Sequence, residues 1–207
     1  MRRPRDYSAE VTVGLIRIAR TLSNIVSPPT MFALLGLALA WRDAPPRPAL
    51  IWAAAFGFWV ALAPIGFVVY LLRSGRISDL HMSTAGERDL PYLVSIAGAA
   101  IAYAVVRYLN GPSLLECLAL LALLVLGLLA LINRFWLISI HTTSIAAAAA
   151  VVGVAFGPRA AGWMLPLVGL VLWARLYLHR HTVGQALAGL FLGAGSVLSL
   201  SAAGCFS

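Results

Sequence analysis

Lysine is absent from this chain of 207 residues, and acids are scarce: seven Asp and Glu stand against fifteen cations, all of them arginine. Charged residues make up 11% of the sequence, where a soluble domain carries about a quarter. Cysteine is limited to Cys117 and Cys205, without CxxC or zinc-ligand spacing, so metal-site and redox-motif readings have no support. An Asp-rich metal–diphosphate motif is also missing, which counts against a prenyltransferase. No low-complexity linker or second composition regime divides the chain, so a single transmembrane domain over 1–207 is expected.

What is present is apolar. Hydrophobic residues make up 61% of the sequence, and the mean hydropathy is +0.92. Asp, Glu, Lys and Arg are missing from 21–41, 48–72, 90–106, 117–133, 135–158, 160–174 and 181–207. Runs this long approach what a bilayer crossing needs. They exclude a soluble enzyme, a nucleic-acid binder and a disordered chain, despite a net charge of +8. The expectation is an all-α integral membrane protein, a bundle of six or seven transmembrane helices. The spans are drawn at 23–41, 50–72, 92–109, 114–132, 141–156, 161–177 and 183–203, separated by Ala44-Pro45-Pro46, Asn110-Gly111-Pro112 and Gly157-Pro158. Trp41, Trp52, Trp136, Trp163 and Trp173 fall near span ends, as an interfacial aromatic belt does. Residues 1–22 read as an interfacial amphipathic segment, because Arg17 and Arg20 interrupt what would be the apolar core of a signal peptide.

Seven crossings place the N-terminus and loops 73–91, 133–140 and 178–182 on one side, with eleven arginines against four on the other. That bias makes the N-terminal face cytoplasmic, in what reads as a prokaryotic cell membrane. His81, His141, His179 and His181 all share this face. Three polar clusters collect there: Arg76 to Pro91, Ile138 to Thr142, and Ala174 to Gln185.

Together these clusters resemble the type 2 phosphatidic acid phosphatase (PAP2) family, the membrane acid phosphatases related to vanadium haloperoxidases. That family's motifs are Lys-x6-Arg-Pro, Pro-Ser-Gly-His and Ser-Arg-x5-His-x3-Asp. Arg88 matches the first, with His81 at the Lys position and Asp89 where Pro is expected. Ser139 and His141 match the second, with Ile138 and Ile140 in place of Pro and Gly. Arg175 and His181 match the third, with Ala174 replacing Ser and Gln185 replacing Asp. The resemblance covers about 75–190, a PAP2-like core.

The resemblance implies a membrane phosphatase acting on a lipid phosphate or diphosphate (polyprenyl phosphate, phosphatidate or phosphatidylglycerophosphate), with no cofactor or metal. Arg88, Arg175, Ser139 and His81 would bind phosphate, since planar guanidiniums meet its oxygens in a fork. His181 would attack phosphorus and form a phosphohistidine. His141 would protonate the leaving alkoxide, an effect of ~10²–10⁴ in rate. Gln185, one turn beyond His181, would accept its ring N–H without adding charge, so turnover is expected to be slow and Gln185→Asp to raise it. A phosphate-bound His81 would weaken activity as pH rises past an imidazole pKa of about 6.5.

Other readings stand beside these. Arg175 and Arg180 taken singly are snorkelling interfacial residues, and Ser139 alone is a helix cap. Gly189 and Gly193, with Ala188 and Gly195, form a small-residue face that packs helices within the monomer or, alternatively, in a homodimer. A lipid phosphotransferase and a non-catalytic lipid-phosphate binding or transport protein use the same scaffold. The family resemblance implies an outer-face site, against the arginine count. The expected partners are the lipid substrate and membrane lipids, not nucleic acid.

Overall fold

The computed structural model describes residues 4–77 and 88–206, with side chains from residue 13 onward. His81 therefore lies outside the described residues. Among these residues the chain is helix and short connection, with no strand: α1 Pro4–Ile25, α2 Pro28–Asp43, α3 Pro46–Arg73, α4 Asp89–Tyr108, α5 Ser113–Ile132, α6 Ile140–Phe156, α7 Pro158–Tyr177 and α8 Val183–Ala202.

Five of these, α3, α4, α5, α7 and α8, are long and apolar enough to cross a bilayer. Large apolar side chains such as Ile51, Leu62, Leu165 and Phe191 project outward rather than inward, as a lipid-facing surface requires. The protein is an all-helical membrane bundle.

The first expected span is broken rather than continuous. Residues Val13–Ile25 and Pro28–Asp43 meet at 46°. The cause is local. Ser27 is extended, because the residue before a proline is pushed out of the helical region, and Pro28 and Pro29 then open α2, where their missing N–H groups cost nothing. The expected surface segment 1–22 accordingly runs on to Ile25. It docks on α7, and Leu22 with the adjoining Val26 packs among Leu167, Val168 and Val171 of α7 and Ile145 of α6.

Helix α3 contains one π turn, Phe58–Leu62, in which Ala63 N–H donates to the Phe58 carbonyl. Gly98 of α4 faces this turn, and a Cβ there would strike the Trp59 carbonyl. Helix α6 is the central element, packed by α8, α7 and α2 and buried from Thr142 to Ala148. Its threonines and alanines let α8 come close. Gly189 and Gly193 abut Thr142 and Thr143, so the small-residue face is used inside this chain. A second core layer joins Leu39, Phe56, Val106, Leu115, Leu118 and Leu129.

The bundle's two ends differ. At one, Asp43 Oδ2 accepts from Ser113 Oγ (3.1 Å) and Leu114 N (3.2 Å), capping α5 across the chain, and Cys117 is disulfide-bonded to Cys205 with Cα atoms 5.6 Å apart. At the other lie the motif residues.

Candidate active site

The six-residue step from Arg175 to His181 has a structural cause. Helix α7 ends in a Schellman motif: Arg180 N–H donates to the Arg175 carbonyl (3.1 Å) and His179 N–H to the Leu176 carbonyl (3.0 Å). His179 takes the left-handed position at φ 51°, which histidine tolerates better than most residues. The turn folds the chain back so that His181 follows closely on the helix end bearing Arg175. Thr182 and Gln185 then form a reciprocal capping box that starts α8: Thr182 N–H donates to Gln185 Oε1 (3.0 Å) and Gln185 N–H to Thr182 Oγ1 (3.3 Å).

Ser139 starts α6. Its hydroxyl accepts from Thr142 N–H (3.4 Å), and its own N–H donates to the Gln185 carbonyl (3.4 Å). It is fully buried and caps α6, and it is not among the residues that line the cavity described below. His141, one residue into the helix, directs Nε2 to the Ser23 carbonyl at 3.2 Å.

Arg88, His141, Arg175 and His181 line one cavity of about 580 Å³. Its remaining wall is largely apolar, with Phe32, Val60, Ile65, Val68, Val125 and Leu126 from α2, α3 and α5. Four of the seven residues singled out in the sequence are thus brought together; Ser139 and Gln185 lie behind them.

The electrostatics of this chamber are one-sided. Arg175 is 3% exposed, its Nε and Nη1 make no hydrogen bond, and Arg88 and Arg180 add like charge beside it. A buried guanidinium with idle donors is expensive, and an anion is what relieves it. Burial, with the Arg175 and Arg88 guanidiniums next, pushes the His181 imidazole down to about 4, so the ring is neutral. His181 Nδ1 lies 3.2 Å from the Leu137 carbonyl, which only an Nδ1–H can satisfy; Nε2 therefore keeps its lone pair. The Gln185 carbonyl oxygen is committed to the Thr182 N–H. The tautomer-setting carbonyl comes from the backbone instead.

Three contributors escape motif reading. Ser23 supplies the carbonyl that meets His141, while Tyr92 and Asn133 are joined by a 2.7 Å hydrogen bond behind the arginines. None stands at a telling spacing. The only sequence signal was a polar side chain near the end of an apolar run. Among the described residues, no group of three or more His, Cys, Asp or Glu gathers to hold a metal ion. In comparisons with known proteins, the chain matches no family model, no curated protein and no solved structure.

Proposed function

We propose that this protein is a membrane phosphatase of the PAP2 type, releasing phosphate from a lipid phosphate or diphosphate through a phosphohistidine on His181. The observation that carries the reading is the buried, hydrogen-bond-poor Arg175 beside a neutral His181 in a chamber whose other wall is apolar. The lipid's chain lies along that wall, and Arg175 and Arg88 take the equatorial oxygens whose charge grows in the transition state. His181 Nε2 attacks in line: an N–P bond forms, the ester P–O bond breaks, and His141 gives the departing alkoxide a proton. Water then attacks phosphorus and gives its proton to His141; an O–P bond forms, the N–P bond breaks, and the imidazole and inorganic phosphate are released.

The site end is read as cytoplasmic. The topology drawn from the sequence assigns eleven of the fifteen arginines to that side, and the Cys117–Cys205 pair lies at the opposite end, as suits an oxidising compartment. One observation favours a second reading, a lipid-phosphate binder that does not turn over: among the described residues, no carboxylate contributes to the electrostatics of His181.

Phosphate release from short-chain phosphatidate, a polyprenyl phosphate and phosphatidylglycerophosphate, measured with EDTA for wild type and His181→Ala, separates the two. Release that the substitution abolishes, with acid-labile radiolabel trapped on wild type, is expected. Binding of these lipids without release between pH 4 and 8 would establish the binder. Alcohol-dependent transfer to an added acceptor would mark a phosphotransferase.

A further inference from the structure

Asn133 is the residue immediately after α5, and it is 6% exposed; Tyr92 on α4 is 7% exposed. A buried amide must place both its donors and its acceptor. Asn133 Nδ2 donates to Tyr92 Oη at 2.7 Å, and its Oδ1 accepts the Ile138 N–H at 2.7 Å, an N–H that also lies 2.9 Å from the Trp136 carbonyl. The Arg88 guanidinium lies near the same tyrosine hydroxyl.

The Ile138 N–H and the Leu137 carbonyl belong to a single peptide group. Its N–H is held by Asn133, and its C=O is the acceptor for His181 Nδ1 at 3.2 Å. A peptide whose N–H is engaged is a stronger acceptor at its oxygen, and its plane is fixed. A chain of hydrogen bonds therefore runs from Tyr92 through Asn133 and the 137–138 peptide to His181, and neither Tyr92 nor Asn133 belongs to a motif.

We propose that Asn133 is a positioning residue for His181, holding the imidazole as its Nδ1–H tautomer through the Leu137–Ile138 peptide so that the Nε2 lone pair is aimed at phosphorus. The inference rests on the reading of His181 as nucleophile. The peptide carbonyl performs the orienting role that a carboxylate would otherwise fill, which accounts for a Gln at 185 whose oxygen is committed to a helix cap. Without Asn133 the 133–139 connection is no longer held, and the ring is released toward the Nε2–H tautomer that histidine prefers in water. In that form the attacking lone pair is gone.

The test compares Asn133→Leu, similar in size but without hydrogen bonds, with Asn133→Asp, which keeps the acceptor. Two measurements are made in detergent: the tautomer of ¹⁵N-labelled histidine by NMR, and kcat and KM for dihexanoyl phosphatidate. Asn133→Leu is expected to move His181 off the Nδ1–H tautomer and lower kcat about 10- to 100-fold. KM should stay within about twofold, because the phosphate-binding arginines remain. Asn133→Asp should keep the tautomer and most of the rate. Retention of the Nδ1–H form in Asn133→Leu, or equal damage from both substitutions, overturns the proposal. If wild type itself releases no phosphate, the phosphatase reading fails while the tautomer measurement still decides the role of Asn133. Should Asn133→Leu not be recovered as a monodisperse protein, Asn133→Ser, too short to reach the Ile138 N–H, takes its place with the same expectations.

Discussion

A guanidinium removed from water without a carboxylate to meet it stabilises nothing by itself, and Arg175 is such a group. Replacing it by Met, of similar length and no charge, should raise the unfolding midpoint by about 2–4 °C while lowering phosphate release at least about 100-fold. Thermal unfolding in detergent beside a turnover assay checks both halves; a destabilised Arg175→Met would mean that the guanidinium serves packing. His181 supplies a second prediction. The attacking ring must be neutral, and its pKa of about 4 places the acid limb of kcat/KM near pH 4 instead of the ordinary imidazole range. Gln185→Glu can keep the bond to Thr182 N–H while adding a charge that favours the imidazolium, so the limb should move to higher pH. Asp, one methylene shorter, gives up that cap, which makes Glu the better probe than the Gln185→Asp expected from sequence. A pH–rate profile that does not move removes Gln185 from the neighbourhood of the ring.

Helices were legible from sequence where charge and Pro-Gly punctuation bounded them. The expected spans 114–132, 141–156 and 183–203 lie within one residue of α5, α6 and α8 at each end. The α1–α2 break was not placed, because Ser27-Pro28-Pro29 sits inside a run whose lack of charge reads as one span. Arg88, His141, Arg175 and His181 were legible because spacing carries them, and the Schellman turn shows why spacing is informative between the last two. Ser23, Tyr92 and Asn133 act through isolated hydrogen bonds, which leave no period in a sequence. Packing of α8 on α6 offers a test with its own control. Gly193→Ala must displace the Thr143 backbone and should cost about 1–3 kcal/mol, whereas the Cβ of Gly195→Ala meets nothing within 4 Å and should leave the unfolding midpoint in place. Equal effects at the two positions would contradict this helix pairing.

For the molecule as a whole, the two ends of the bundle belong to different compartments if the proposed orientation holds. Ser83→Cys introduces a thiol in the segment that joins α3 to α4, and the native cysteines are occupied by each other, so the background is silent. An impermeant maleimide should leave this variant unlabelled in intact cells and label it in opened ones. Labelling of intact cells would turn the protein over and put the phosphate it releases outside. In the proposed orientation a lipid-phosphate substrate would be drawn from the inner leaflet, and the freed phosphate would return to the cytoplasmic pool.

The π turn in α3 has a consequence for how the gene tolerates change. Removing one residue from a membrane-crossing α-helix normally rotates everything beyond it by about 100°, exchanging lipid-facing and interior positions. Residues Phe58–Leu62 hold one residue more than an α-helical turn would, bonded Ala63 to Phe58. Deleting Leu62, which faces outward, should close the wide turn into an ordinary one and leave both halves of α3 in phase. The same deletion seven residues later, at Val69, has no surplus to absorb it. A frame that forgives a lost codon at 62 and not at 69 would be visible in the yield of folded protein from the two deletions.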